Sequence, residues 1–140
     1  MQTLVDLLPE IERLGGREAI RWSNGFRTWT ATYSQLYGMT GAAVRFFDAR
    51  GIRKGDRVLI WGENSLAWAA VFWACVARGI EAVPVDARFS ADLVERIRKE
   101  SQPKLVIDRA ALDLIDALPP VSRFTASDVK PDDKIGRAHV

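Results

Sequence analysis

Side chains able to do chemistry are few in this chain and widely spaced. Cys75 is the only thiol. It sits in an apolar run with no His nearby, so nothing would generate the thiolate a nucleophile needs, and core packing is the better reading. Asp56 and Glu63 flank one apolar run and have the types of an acid/base pair, but as turn residues they read as solvated or capping groups. The turn Gly62-Glu63-Asn64-Ser65 opens a helix whose free amides suit an anion. Glu63 would repel that anion, which leaves Asn64 or Ser65 as a cap. Trp22 and Trp29 read as packing within a hairpin rather than a ligand stack. No Gly-Lys-Ser/Thr phosphate loop and no Gly-x-Gly-x-x-Gly occurs. On this reading no residue is nominated as catalytic, cofactor-binding or metal-binding.

The elements that position these residues form an alternating series. Leu4, Leu7, Leu8, Ile11 and Leu14 follow helical spacing, with a kink or a late start at Pro9 and an end at Gly15-Gly16. Ala19 to Thr30 reads as a β-hairpin, AIRWS and FRTWT, joined by Asn24-Gly25 in a type I′ turn, with Ile20 and Trp22 on one face. Thr32-Tyr33-Ser34-Gln35 has the capping-box pattern. Leu36, Met39, Ala43 and Phe47 continue it as an apolar stripe that Gly51 closes. Val58-Leu59-Ile60-Trp61 is continuously apolar, as a strand covered on both faces should be. A helix apolar on every face follows and ends at Arg78-Gly79.

Ala82 to Val85 is a second strand, with Pro84 near its end. Ser90 caps a third helix with Leu93, Val94 and Ile97 inward, which Pro103 terminates. Lys104 to Asp108 is a third strand, then a helix runs from Ala110 to Leu118 up to Pro119-Pro120. The stretch after it is loop with at most one short strand. Strands alternating with helices at this spacing predict an α/β fold: βαβ units forming part of a parallel sheet flanked by helices, preceded by a hairpin.

Composition excludes several classes. Hydrophobic content of 48% with 27% charged residues predicts a folded chain rather than a disordered one. Lys+Arg 20 against Asp+Glu 18 is nearly balanced and the basic residues are dispersed, which gives no footprint for nucleic acid or an anionic membrane. A single Cys excludes an internal disulfide framework and fits a reducing compartment. The N-terminus lacks the pattern of a signal peptide, and the longest apolar run, Leu66 to Ala77, falls short of the ~20 residues that span a bilayer. A cytoplasmic location is expected. One physical sign points to incompleteness: the helix carrying Trp68, Val71, Phe72, Trp73 and Val76 needs cover all round, and three short strands with their own helices offer little. A homodimer burying the surplus is the other way to satisfy it.

Several segments resemble the N-terminal part of the AMP-forming acyl-CoA synthetases, within the adenylate-forming superfamily. Thr32-Tyr33-Ser34-Gln35-Leu36 is similar to the family's first core motif. Gly51-Ile52 with Gly55-Asp56-Arg57-Val58 is similar to its Gly-Val-x-x-Gly-Asp-Arg-Val run. Glu63-Asn64-Ser65 matches the polar turn that follows. Arg78-Gly79 through Val83-Pro84-Val85-Asp86 resembles the second core motif. Departures are Gln35 for Glu, Arg78 for the frequent Ala, and Ala87 where Pro is common; none replaces a catalytic group. Trp61-Gly62-Glu63-Asn64 looks most like the long-chain fatty acid branch.

The resemblance implies a parent enzyme that uses ATP and Mg²⁺ to adenylate a carboxylic acid and then passes the acyl group to coenzyme A. It also implies that the chain is an incomplete portion of the large N-terminal domain. The family's Thr/Ser/Gly-rich phosphate loop, its aromatic-Gly-x-Thr-Glu motif, its ribose-binding Asp and its C-terminal catalytic Lys would all lie beyond the segment resembling Pro131-Asp132-Asp133. Arg88, just after the second core motif, is positioned to approach coenzyme A phosphates in such an enzyme, but a surface ion pair is preferred.

Residues 1–134 are therefore expected to be the N-terminal part of an AMP-binding domain. Residues 135–140 (IGRAHV) depart from the family and resemble a translated sequencing adapter, a non-native tail to which His139 would belong. The fragment is expected to be inactive and to bind no cofactor well; oligomeric state stays open. Two alternatives remain: an adenylation domain of the peptide-synthetase or luciferase-like branches, and a free-standing Rossmann-like binding module.

Overall fold

The computed structural model describes residues 16–23 and 26–121. The expected N-terminal helix, the Asn24-Gly25 pair, the loop after residue 121, the Pro131-Asp132-Asp133 segment and the tail lie outside the described residues. Nine elements follow in chain order: β1 (Glu18–Ser23), β2 (Thr28–Thr32), α1 (Tyr33–Ala49), β3 (Arg57–Trp61), α2 (Leu66–Arg78), β4 (Glu81–Val85), α3 (Ala91–Ser101), β5 (Leu105–Ile107) and α4 (Arg109–Asp116).

β1 and β2 pair antiparallel, with Trp22 opposite Trp29 and Ser23 opposite Thr28. The second arm begins at Thr28 rather than at Phe26, which stands 99% exposed. The hairpin runs directly into α1, whose first turn is held by the full capping box. The Thr32 hydroxyl accepts from the Gln35 N–H at 3.1 Å, and the Gln35 side-chain oxygen accepts from the Thr32 N–H at 2.8 Å.

β3 is central in a three-stranded parallel sheet of order β4-β3-β5. Its residues 58–60 are wholly buried because both faces are covered. Alternation divides them between two cores. Val58 and Ile60 face α1, α2 and α4, together with Ala82 and Ile107. Leu59 faces α3, with Val83, Val85 and Val94. Fully burying side chains such as Phe47, Ile60 and Ile115 stabilises by about 1.5–3 kcal/mol each, so the three-helix side dominates.

Pro84 lies within β4 near its end, as expected, opposite Ile60. The Glu81 N–H donates to the Asp56 carbonyl, so by alternation the Pro84 nitrogen lies on the free edge, where no ladder donor is required.

α2 is capped by the Ser65 hydroxyl, which accepts from the Trp68 N–H at 3.1 Å, and it ends at Gly79 in the left-handed region (φ 66°). Its cover is better than its composition led us to expect. Ala67, Ala70, Val71 and residues 74–77 are buried, and Leu66, Trp68, Ala69, Phe72 and Trp73 are half-buried. The aromatic side chains shield one another. Trp68 stacks on Phe72 at 5.9 Å between ring centroids, and Phe72 meets Trp73 edge to face at 6.3 Å.

Candidate functional site

The motif residues are gathered at the two ends of the parallel sheet. At the amino end, Arg57 spans the sheet. Its Nε donates to Glu81 Oε2 at 3.2 Å, and a terminal nitrogen donates to the Ser101 carbonyl at 2.8 Å. The Glu81 side chain is only 4% exposed. One guanidinium thus ties β3 to β4 and to the last turn of α3, with the fork geometry that suits Arg to bridging. Asp56 accepts from the Arg53 N–H at 2.7 Å and from the Lys104 ammonium at 3.3 Å. Lys104 also donates to the Gly51 carbonyl at 2.8 Å. The Gly55 N–H donates to the Gly79 carbonyl at 2.9 Å. The Gly55-Asp56-Arg57-Val58 run, with Gly79 and Glu81, therefore forms a polar knot that aligns the strand starts.

The carboxyl end is where open α/β sheets place ligands, in the crevice at which strand order reverses. Here that point lies between β3 and β5, under the turn Gly62 to Ser65. In a doubly wound sheet the helix after β5 crosses to the face opposite α2 and leaves the crevice open. In this chain α4 packs on the same face as α1 and α2. Leu112 of α4 lies so close to Gly62 that a Cβ there would fall 2.3 Å from its Cδ1. Ser65 caps α2, and Glu63 and Asn64 are exposed. Among the described residues no group of His, Cys, Asp or Glu side chains is arranged to hold a metal ion. An apolar plug and an exposed carboxylate are not the donor set that ATP phosphates or Mg²⁺ require, so these residues do not fit the nucleotide, and no chemical step is routed through them.

The residues weighed singly are not brought together. Asp56 and Glu63 lie at opposite ends of β3, with roughly 16 Å of strand between them, which excludes a shared proton. Cys75 is fully buried, and burial pushes its thiol well above the usual range, the reverse of an activated nucleophile. Arg88 donates to Asp86 two residues earlier, at 3.1 and 2.8 Å, with its side chain 90% exposed. The Asp86 carboxyl is lowered to about 2 by the side-chain hydrogen bond from Arg88 and then by the Arg88 backbone N–H. Trp22 and Trp29 stack on each other at 6.1 Å. Of the two capping candidates, Ser65 is the cap. Sequence reasoning did not single out Glu81 or Lys104. The one available signal was a charge placed directly at a strand start.

A three-stranded parallel βαβ sheet flanked by helices and preceded by an antiparallel hairpin defines an α/β fold. The profile of the AMP-binding enzyme family matches residues 10–137, and the chain belongs to that family of adenylate-forming ligases. It is 34% identical over 88 residues to the long-chain-fatty-acid–CoA ligase FadD13 of Mycobacterium tuberculosis, covering 62% of this chain and 18% of that protein. It is 26% identical over 140 residues to long chain acyl-CoA synthetase 5 of Arabidopsis thaliana, covering 95% and 21%. The fatty acyl-adenylate ligase of L. pneumophila, solved with acyl adenylate and pyrophosphate, superposes with a TM-score of 0.69 at 28% identity, over 83% of this chain and 21% of that one. The N-terminal subdomain of Klebsiella oxytoca NpsA gives a TM-score of 0.77 at 18% identity, over 95% and 36%, and supports the fold alone. The chain thus spans about a fifth of the length of these curated relatives. No helix among the described residues is long and apolar enough to cross a membrane.

Proposed function

We propose that this chain is the N-terminal part of an ATP-dependent acid–CoA ligase that adenylates a fatty acid and transfers the acyl group to coenzyme A. The observation that carries the reading is the family match over residues 10–137, read with long-chain fatty acid ligases among the relatives. The chemistry has a clear rationale. A carboxylate is a poor electrophile, adenylation gives it a good leaving group, and coenzyme A thiol then displaces AMP. ATP, Mg²⁺ and coenzyme A are cofactors and substrates of the whole protein, which is cytoplasmic on this reading. Residues 1–134 are its AMP-binding domain portion, 135–140 are a non-native tail, and the 140 residues alone supply scaffold with no catalytic group.

A second acceptor is favoured by other relatives. The chain is 31% identical over 77 residues to the fatty acid–[acyl-carrier-protein] ligase ScoC of Streptomyces coeruleorubidus and 36% identical over 68 residues to an L-proline–[L-prolyl-carrier protein] ligase of Pseudomonas fluorescens. On that reading adenylation is kept and the thiol acceptor changes. The test is the gene downstream of Lys134 and the protein it encodes. A Thr/Ser/Gly-rich loop ending in Pro-Lys-Gly within a few residues is expected, and a stop codon there overturns the reading. Incubating the whole protein with palmitate, ATP and either coenzyme A or a carrier protein then separates the two acceptors by which thioester accumulates.

A further inference from the structure

We draw no further inference here: the strongest candidate, the half-buried aromatic face of α2 formed by Trp68, Phe72 and Trp73, carries none because nothing in the structure shows what covers it.

Discussion

The two ends of the parallel sheet do opposite things with their residues. The amino end concentrates charge, with Arg57, Glu81, Asp56 and Lys104 joined by hydrogen bonds across three strands. The carboxyl end, where an α/β sheet ordinarily binds its ligand, is closed by an apolar contact between Gly62 and Leu112. The difference teaches that the two ends of one strand are held by different forces: the Gly55 to Val58 residues align strands through hydrogen bonds, while Leu112 packs against Gly62 at the other end.

The contrast can be broken from either end, and the amino end should give the larger effect. Arg57→Ala leaves the Glu81 carboxylate, 4% exposed, without its guanidinium, and the Ser101 carbonyl without that donor. A loss of about 3 kcal/mol is expected, read as a shift in the urea midpoint at unchanged slope. Arg57→Lys keeps the charge but loses the planar fork whose two separate nitrogens reach Glu81 and Ser101, so it should recover less than half of that loss. At the carboxyl end, Gly62→Ala forces the buried Leu112 side chain to move and should cost about 2 kcal/mol. Adding Leu112→Ala should then cost less than the two single losses summed, because the clash is removed. Strict additivity would show that the two residues do not press on each other.

Smaller effects sharpen the picture. Ser65→Ala should cost about 1 kcal/mol through the lost cap on the Trp68 N–H, while Asn64→Ala should change stability by no more than about 0.5 kcal/mol. Equal effects would mean that the cap is misassigned. Smallest is the Asp86–Arg88 pair, which lies on the surface. Because the folded Asp86 carboxyl is depressed to about 2, its contribution is complete above the ordinary carboxylate pKa and is lost as pH falls through the interval down to about 2. Arg88→Ala should return the Asp86 titration, followed by carboxyl carbon NMR, toward its ordinary value, and any loss of stability should appear at neutral pH and vanish as pH falls toward about 2.

Local signals were legible in the sequence, and contacts between distant residues were not. The capping box at Thr32 and Gln35, the continuous run of β3, the Ser65 cap and the Gly79 terminator are decided within a few residues, so spacing reveals them. The second hairpin arm starts at Thr28 rather than Phe26, because where pairing begins depends on cross-strand register and not on neighbouring residue types. Glu81 was missed because its partner Arg57 is 24 positions away, and Leu112 because it meets Gly62 only after α4 takes the α2 side of the sheet. The turn after β3 has no phosphate-binding glycines in its sequence, and only the fold shows that the Leu112 side chain packs against Gly62 there.

The central claim is that these residues form scaffold and perform none of the chemistry. ATP–pyrophosphate exchange by the purified 140-residue chain, assayed with palmitate beside the whole protein, tests it most directly. The account predicts exchange by the whole protein and none above background by the chain alone. Clear, fatty-acid-dependent exchange by the chain alone would contradict it.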